Sequence, residues 1–201
     1  MFDARLRPWI DPLLNATASA LAPMRVTADR VTWAGLVIGL LGAVAIAFGA
    51  PLTGLALFGA NRFADGLDGA IARRTSLTDA GGYLDIVCDF LIYAAFPLAF
   101  AVADPGTNAL PAATLLASFI ASGTAFLAFA CIAAKRNLTT SAQGQKTIYY
   151  VAGLAEGFET IVALALMCLW PAHFPALAYA FACVCFVSAA ARIGTALRIL
   201  G

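Results

Sequence analysis

Charge is scarce in this sequence. Of its 201 residues only 11% are Asp, Glu, Lys or Arg, a single histidine occurs, and the formal net charge is +1. Such a chain lacks the basic stripe that a nucleic-acid surface needs, so no nucleic-acid partner is expected. Zinc is disfavoured as well. His173 has no ligand type beside it, and Cys88, Cys131, Cys168, Cys183 and Cys185 show no CxxC spacing. The cysteines are odd in number and fall in apolar runs, which reads as packing rather than a disulfide framework. Internal repeats are absent, and the longest polar break, from Lys135 to Lys146, has the length of a loop. The first residues are interrupted by arginines, so a cleaved secretory leader is not expected.

What the chain has in abundance is hydrocarbon. Hydrophobic residues make up 62% of it, and the mean hydropathy of +0.89 lies outside the range of soluble domains. The expected fold class is an all-α integral membrane protein. Polar breaks divide the apolar runs into about six spans. They are placed at roughly 30–50, 52–74, 80–103, 109–134, 147–170 and 175–198. Residues 1–27 are read as a cytoplasmic juxtamembrane segment and 28–201 as the membrane domain. In the former, Phe2, Leu6, Trp9, Ile10, Leu13 and Leu14 alternate with Arg5, Arg7 and Asp11. That pattern suits an amphipathic helix lying on the membrane surface or a short lead-in packed on the bundle.

Basic residues set the sidedness. Arg25 and Arg30 precede the first span, Arg73 and Arg74 follow the second, Lys135, Arg136 and Lys146 join the fourth to the fifth, and Arg192 and Arg198 end the sixth. The loops near Pro51, Asp104 and Trp170 contain no Lys or Arg. Both termini are therefore expected in the cytoplasm of a bacterium, with the chain in its inner membrane. Trp33, Tyr149, Tyr150 and Trp170 read as interfacial anchors, and Gly35, Gly39 and Gly42 as a close-packing stripe.

Against this background Phe63 to Phe90 carries five aspartates. Each costs roughly 2.5 kcal/mol or more at a helix centre on insertion scales. Asp65 and Asp68 are three apart near the end of the second span; Asp85 and Asp89 are four apart near the start of the third, so each pair shares a helix face. The short turn between these spans predicts antiparallel neighbours whose carboxylate pairs meet at one depth. Four converging carboxylates repel unless a cation sits among them. An all-oxygen set favours a hard divalent ion such as Mg²⁺, Mn²⁺ or Ca²⁺. The competing account is an aspartate held by Arg62, Arg73 or Arg74.

The run Asp65, Asp68, Gly69, Ala72, Arg73, Gly81, Asp85 and Asp89 resembles the signature of the CDP-alcohol phosphatidyltransferases, Asp-x2-Asp-Gly-x2-Ala-Arg, a spacer, then Gly-x3-Asp-x3-Asp. The spacer, Arg74 to Ala80, is shorter than usual. The chain as a whole is similar to an uncharacterised bacterial inner-membrane branch of that family. The resemblance implies two Mg²⁺ or Mn²⁺ ions, one on Asp65, Asp68 and Asp85, the other on Asp65, Asp85 and Asp89. Asp89 would also be the catalytic base, and Gly69, Arg73 and Thr78 would contact CDP-diacylglycerol, beside the motif glycine Gly81. A homodimer and a small alcohol acceptor are implied too. For the acceptor pocket the candidates are Lys135, Arg136, Lys146, Glu156, Glu159 and Arg192, with glycerol 3-phosphate as first choice and inositol phosphate, serine or an amino alcohol as others. A transporter or channel whose aspartates line a cation pathway is the alternative of a different class.

Overall fold

The computed structural model describes residues 3–24, 26–136 and 157–201, and side chains from residue 10 onward. Lys146, Glu156, Tyr149, Tyr150, Arg25 and the first part of the expected fifth span lie outside the described residues, as do the side chains of Phe2 to Trp9. Among the described residues the regular structure is all helical: α1 (Asp3–Leu21), α2 (Ala28–Ala47), α3 (Pro51–Ala72), α4 (Asp79–Ala103), α5 (Pro105–Lys135), α6 (Gly157–Leu169) and α7 (Phe174–Leu200).

Local chemistry sets the helix ends. Gly49, at φ 80°, takes the left-handed turn after α2 that a side chain would resist, and Pro51 then starts α3 where its missing N–H is no loss. Thr78 caps α4 by accepting from the Gly81 N–H at 3.0 Å. Asp104 caps α5 in the same way, accepting from Thr107 N at 3.3 Å, with Pro105 in the first turn.

Helices α2, α4, α5 and α7, the last with its preceding 3-10 turn, are long and apolar enough to cross a membrane. Helix α3 has the length, at 22 residues, but carries Arg62, Asp65 and Asp68. Helix α6 is a shorter apolar helix of 13 described residues. The main core lies among these helices, where Phe58, Ile92, Phe96, Leu115, Leu164, Met167 and Phe174 are almost fully buried. Phe58 meets Phe96 at a ring separation of 4.7 Å, and Phe100 stacks on Phe174 at 4.5 Å.

Helix α1 is held by a separate small cluster. Its Leu14 and Ala18 bury against Leu67, Ala70 and Ile71 of α3, while Ile10 and Leu13 remain exposed. Arg74, just past α3, donates to Ser19 of α1.

The expected neighbours α3 and α4 meet through side chains, Phe58 with Phe96 and Arg62 with Asp89. The α3 and α4 backbones barely approach each other; α2 packs on both. The glycine stripe is the reason. A Cβ at Gly39 would stand 2.5 Å from Ile92 Cδ1 of α4 and 3.0 Å from Asn61 Cγ of α3, and one at Gly42 would stand 3.1 Å from the Gly54 carbonyl oxygen. Bare backbone on α2 lets that helix take the place beside α3, and α4 is held at side-chain distance. The gap so left is where the aspartates face one another.

Candidate active site

The C-terminal half of α3 and the first turns of α4 supply the acidic residues. Asp68 is the most buried, at 5% exposure, and is turned toward α2: Thr32 Oγ1 donates to its Oδ2 at 2.5 Å. The same hydroxyl lies 3.1 Å from the Ala28 carbonyl oxygen, so a helix-internal bond competes for its single hydrogen. Asp65 and Asp89 are half-buried and face a common cation. Arg62 Nη1 stands 2.6 Å from Asp89 Oδ1 and 3.7 Å from Asp65 Oδ2. Asp85 is half-buried one turn before Asp89.

The four carboxylates are thus brought to one region but not onto one point. Among the described residues no three His, Cys, Asp or Glu side chains are close enough together to hold an ion. The account in which an arginine holds the aspartates is realised for Asp65 and Asp89, by Arg62; Asp68 is held by a hydroxyl instead. The donor set nonetheless fits a hard divalent ion. It is entirely oxygen, spans two helices, and already accommodates a positive charge between them.

The other motif residues fall around this centre. Arg73 closes α3 and folds back over Gly69, where an added Cβ would lie 3.2 Å from its Nη1. A Cβ at Gly81 would crowd the Thr78 hydroxyl at 3.1 Å, so the glycine leaves room for the cap. Thr78 and Arg73 are both exposed.

A cavity of about 450 Å³ opens beside Asp89, between α4, α5, α6 and α7. Phe90, Tyr93, Phe119 and Phe126 form much of its wall. Asp89 and Arg192 are the charged residues lining it among those described. Arg192 is buried, donates to Ser122 Oγ at 2.9 Å, and lies over the Phe126 ring at 5.5 Å. The remaining acceptor candidates separate. Lys135 and Arg136 do not line this cavity; both lie at the end of α5, and Arg136 donates to the Leu200 carbonyl oxygen of α7 at 2.8 Å. Glu159 is half-buried in the first turn of α6.

Sequence reasoning passed over Thr32, Asn61 and Tyr93. Asn61 Nδ2 donates to the Gly35 carbonyl oxygen at 2.9 Å and its Oδ1 accepts from Arg62 Nε at 2.8 Å; Arg62 Nη1 also reaches Tyr93 Oη at 3.2 Å. The available signal was the adjacent pair Asn61-Arg62 inside an otherwise apolar run.

Comparisons with known proteins bear on this geometry. A sequence model of the family CDP-alcohol phosphatidyltransferase matches residues 25–191. Inner membrane protein YnjF of Escherichia coli is 44% identical over 193 residues, covering 96% of this chain and 94% of that protein. Archaetidylinositol phosphate synthase of Methanothermobacter thermautotrophicus is 36% identical over 91 residues, 45% of this chain and 43% of its own. Among solved structures, Mycobacterium tuberculosis phosphatidylinositol phosphate synthase with CDP-DAG bound superposes with a TM-score of 0.75 at 18% identity, over 92% of this chain and 94% of that one. The same enzyme in complex with manganese and citrate gives 0.74, over 92% and 88%. At that identity the structural likeness establishes the fold alone.

Proposed function

The chain belongs to the CDP-alcohol phosphatidyltransferase family, and from that premise we propose that it moves a phosphatidyl group from CDP-diacylglycerol to a phosphorylated polyol, releasing CMP. Family membership sets aside the cation-pathway alternative. The observation that carries the proposal is the position of Asp89, which belongs to the acidic centre and also lines the cavity that contains Arg192. A base there reaches an acceptor hydroxyl while a buried arginine in the same cavity faces the acceptor's phosphate.

In the reaction the acceptor hydroxyl oxygen forms a bond to the phosphorus that bears the diacylglycerol. The bond from that phosphorus to the bridging oxygen of the pyrophosphate breaks, and CMP leaves with the electron pair. Asp89 takes the hydroxyl proton. Arg73, folded over Gly69, pairs with the nucleotide phosphate, and Gly69 lets the CDP moiety approach the helix backbone. Asp65, Asp68 and Asp85 would hold one Mg²⁺ or Mn²⁺, and Asp65, Asp85 and Asp89 a second. Bound there, such ions would supply Lewis-acid neutralisation of the pyrophosphate. Thr32 keeps Asp68 oriented for this by its hydrogen bond. The chain would do this in a bacterial inner membrane, where the diacylglycerol stays in lipid, and a homodimer is part of the same proposal.

The test is CMP release by purified protein given CDP-diacylglycerol, Mg²⁺ or Mn²⁺, and in turn glycerol 3-phosphate, inositol phosphate, serine and an amino alcohol. Release should depend on a phosphorylated polyol, and Asp89→Asn should lower it by about 10²-fold or more. Release with serine alone would overturn the acceptor class. No binding of CDP-diacylglycerol by folded protein would overturn the reaction.

A further inference from the structure

The acidic centre has a feature that metal ligation does not use: a cation built into its own helix. Arg62 lies between the carboxylates of α3 and α4, with Nη1 2.6 Å from Asp89 Oδ1 and 3.7 Å from Asp65 Oδ2. It is anchored rather than loose. Its Nε donates to Asn61 Oδ1 at 2.8 Å, and Asn61 is itself pinned to the Gly35 carbonyl oxygen of α2 at 2.9 Å. The guanidinium carbon sits 5.7 Å from the Phe58 ring centre and 5.4 Å from that of Tyr93, whose hydroxyl is 3.2 Å from Nη1. Its side chain is only 12% exposed. A desolvated guanidinium held on so many sides has a defined place, and removing it would leave two half-buried carboxylates uncompensated.

We propose that Arg62 is a resident counter-cation that holds the acidic centre together before metal arrives and competes with a divalent ion for Asp89. This rests on the metal reading given above and goes beyond it. The carboxylates divide accordingly. Asp68 is engaged by Thr32 rather than by Arg62, whereas Asp89 is already in contact with a positive charge. An ion on Asp65, Asp68 and Asp85 leaves the Arg62 contact with Asp89 intact. An ion that uses Asp89 must displace or share it. Metal loading is therefore ordered, first a tight ion and then a weak one. Arg62 acts through Asp89 and is a positioning residue.

The experiment is titration of the purified full chain with Mn²⁺ and no substrate, following free Mn²⁺ by electron paramagnetic resonance, together with thermal unfolding with and without Mn²⁺. Wild-type protein should bind a first ion at least about tenfold more tightly than a second, and Arg62→Met should tighten the second by about tenfold. The metal-free variant should melt below metal-free wild type, and saturating Mn²⁺ should narrow that gap. Unchanged Mn²⁺ affinity, with melting lowered equally in the presence and absence of Mn²⁺, would mean an ordinary packing arginine and overturn the inference while leaving the metal reading standing. Absence of Mn²⁺ binding in folded wild-type protein would overturn both. Should Arg62→Met fail to fold, Arg62→Gln decides. The amide keeps a hydrogen-bonding side chain but carries no charge, so the second ion should again tighten, and an unchanged second affinity overturns the inference.

Discussion

At the scale of single residues the site depends on neighbours that orient carboxylates. Thr32 Oγ1 gives Asp68 its short bond from another helix. Thr32→Val keeps the shape and removes the donor, leaving a buried acceptor without it. The variant should lose about 1 kcal/mol of stability and bind Mn²⁺ about 10–100-fold more weakly, which unfolding and metal titration measure separately. Arg192 makes the corresponding prediction for the acceptor. Its guanidinium lines the cavity and is braced by Ser122. Arg192→Gln should raise KM for a phosphorylated acceptor by about tenfold or more, the weight of a charge-assisted bond, with little change in KM for CDP-diacylglycerol. Equal changes in both would count against a specific acceptor contact. The aspartates stood out in the sequence as ionisable groups inside apolar runs, whereas Arg192 was one of several basic residues that topology alone could explain, and the cavity singles it out. Thr32 did not stand out, since a threonine in a helix usually bonds back to its own turn, and only the closeness of α2 to α3 gives it a carboxylate.

At the scale of helices the deciding element is α2. Its glycine stripe brings bare backbone against α3, and Gly39 touches both α3 and α4. Gly39→Ala would drive a Cβ into Ile92 and Asn61 and should destabilise the fold by about 1–3 kcal/mol. It should also disturb Arg62 through Asn61. Gly82, in the first part of α4, is the matched control. A Cβ there meets nothing within 4 Å, so Gly82→Ala should be neutral or stabilising by up to about 1 kcal/mol. Thermal midpoints of the two variants in one detergent check both. The stripe itself could be read from spacing as a packing surface, but its partner could not. Loop length made α3 and α4 neighbours, and their side chains do meet; connection in sequence does not say which third helix packs more closely on both.

At the scale of the molecule the described helices form one bundle with α1 attached by its own cluster, and the acidic centre and the cavity adjoin at Asp89. Sidedness is a property at this scale, argued from the absence of Lys and Arg in the loops near Pro51, Asp104 and Trp170. Reporter fusions that are active only in the cytoplasm should be active at the N-terminus and at the C-terminus alike. Activity at one end alone would mean an odd number of spans, and inactivity at the N-terminus would displace the acidic centre, two spans on, from the cytoplasmic side assigned to it.

Composition and run length together pointed to a helical membrane protein, because a backbone in hydrocarbon must meet its own hydrogen bonds and long uninterrupted apolar runs do so as helices rather than as the alternating strands of a barrel. Residue spacing by itself gave two carboxylate pairs, and the resemblance of Asp65, Asp68, Gly69, Ala72, Arg73, Gly81, Asp85 and Asp89 to a known signature pointed to the reaction family. Tertiary structure decided the rest. That Asp68 answers to Thr32, that Asp65 and Asp89 share Arg62, and that Arg192 rather than Lys135 or Arg136 enters the cavity all follow from contacts between residues far apart in the chain. Such contacts depend on how closely helix backbones approach, and that distance is set by side-chain volume on both partners at once, which no single stretch of sequence contains.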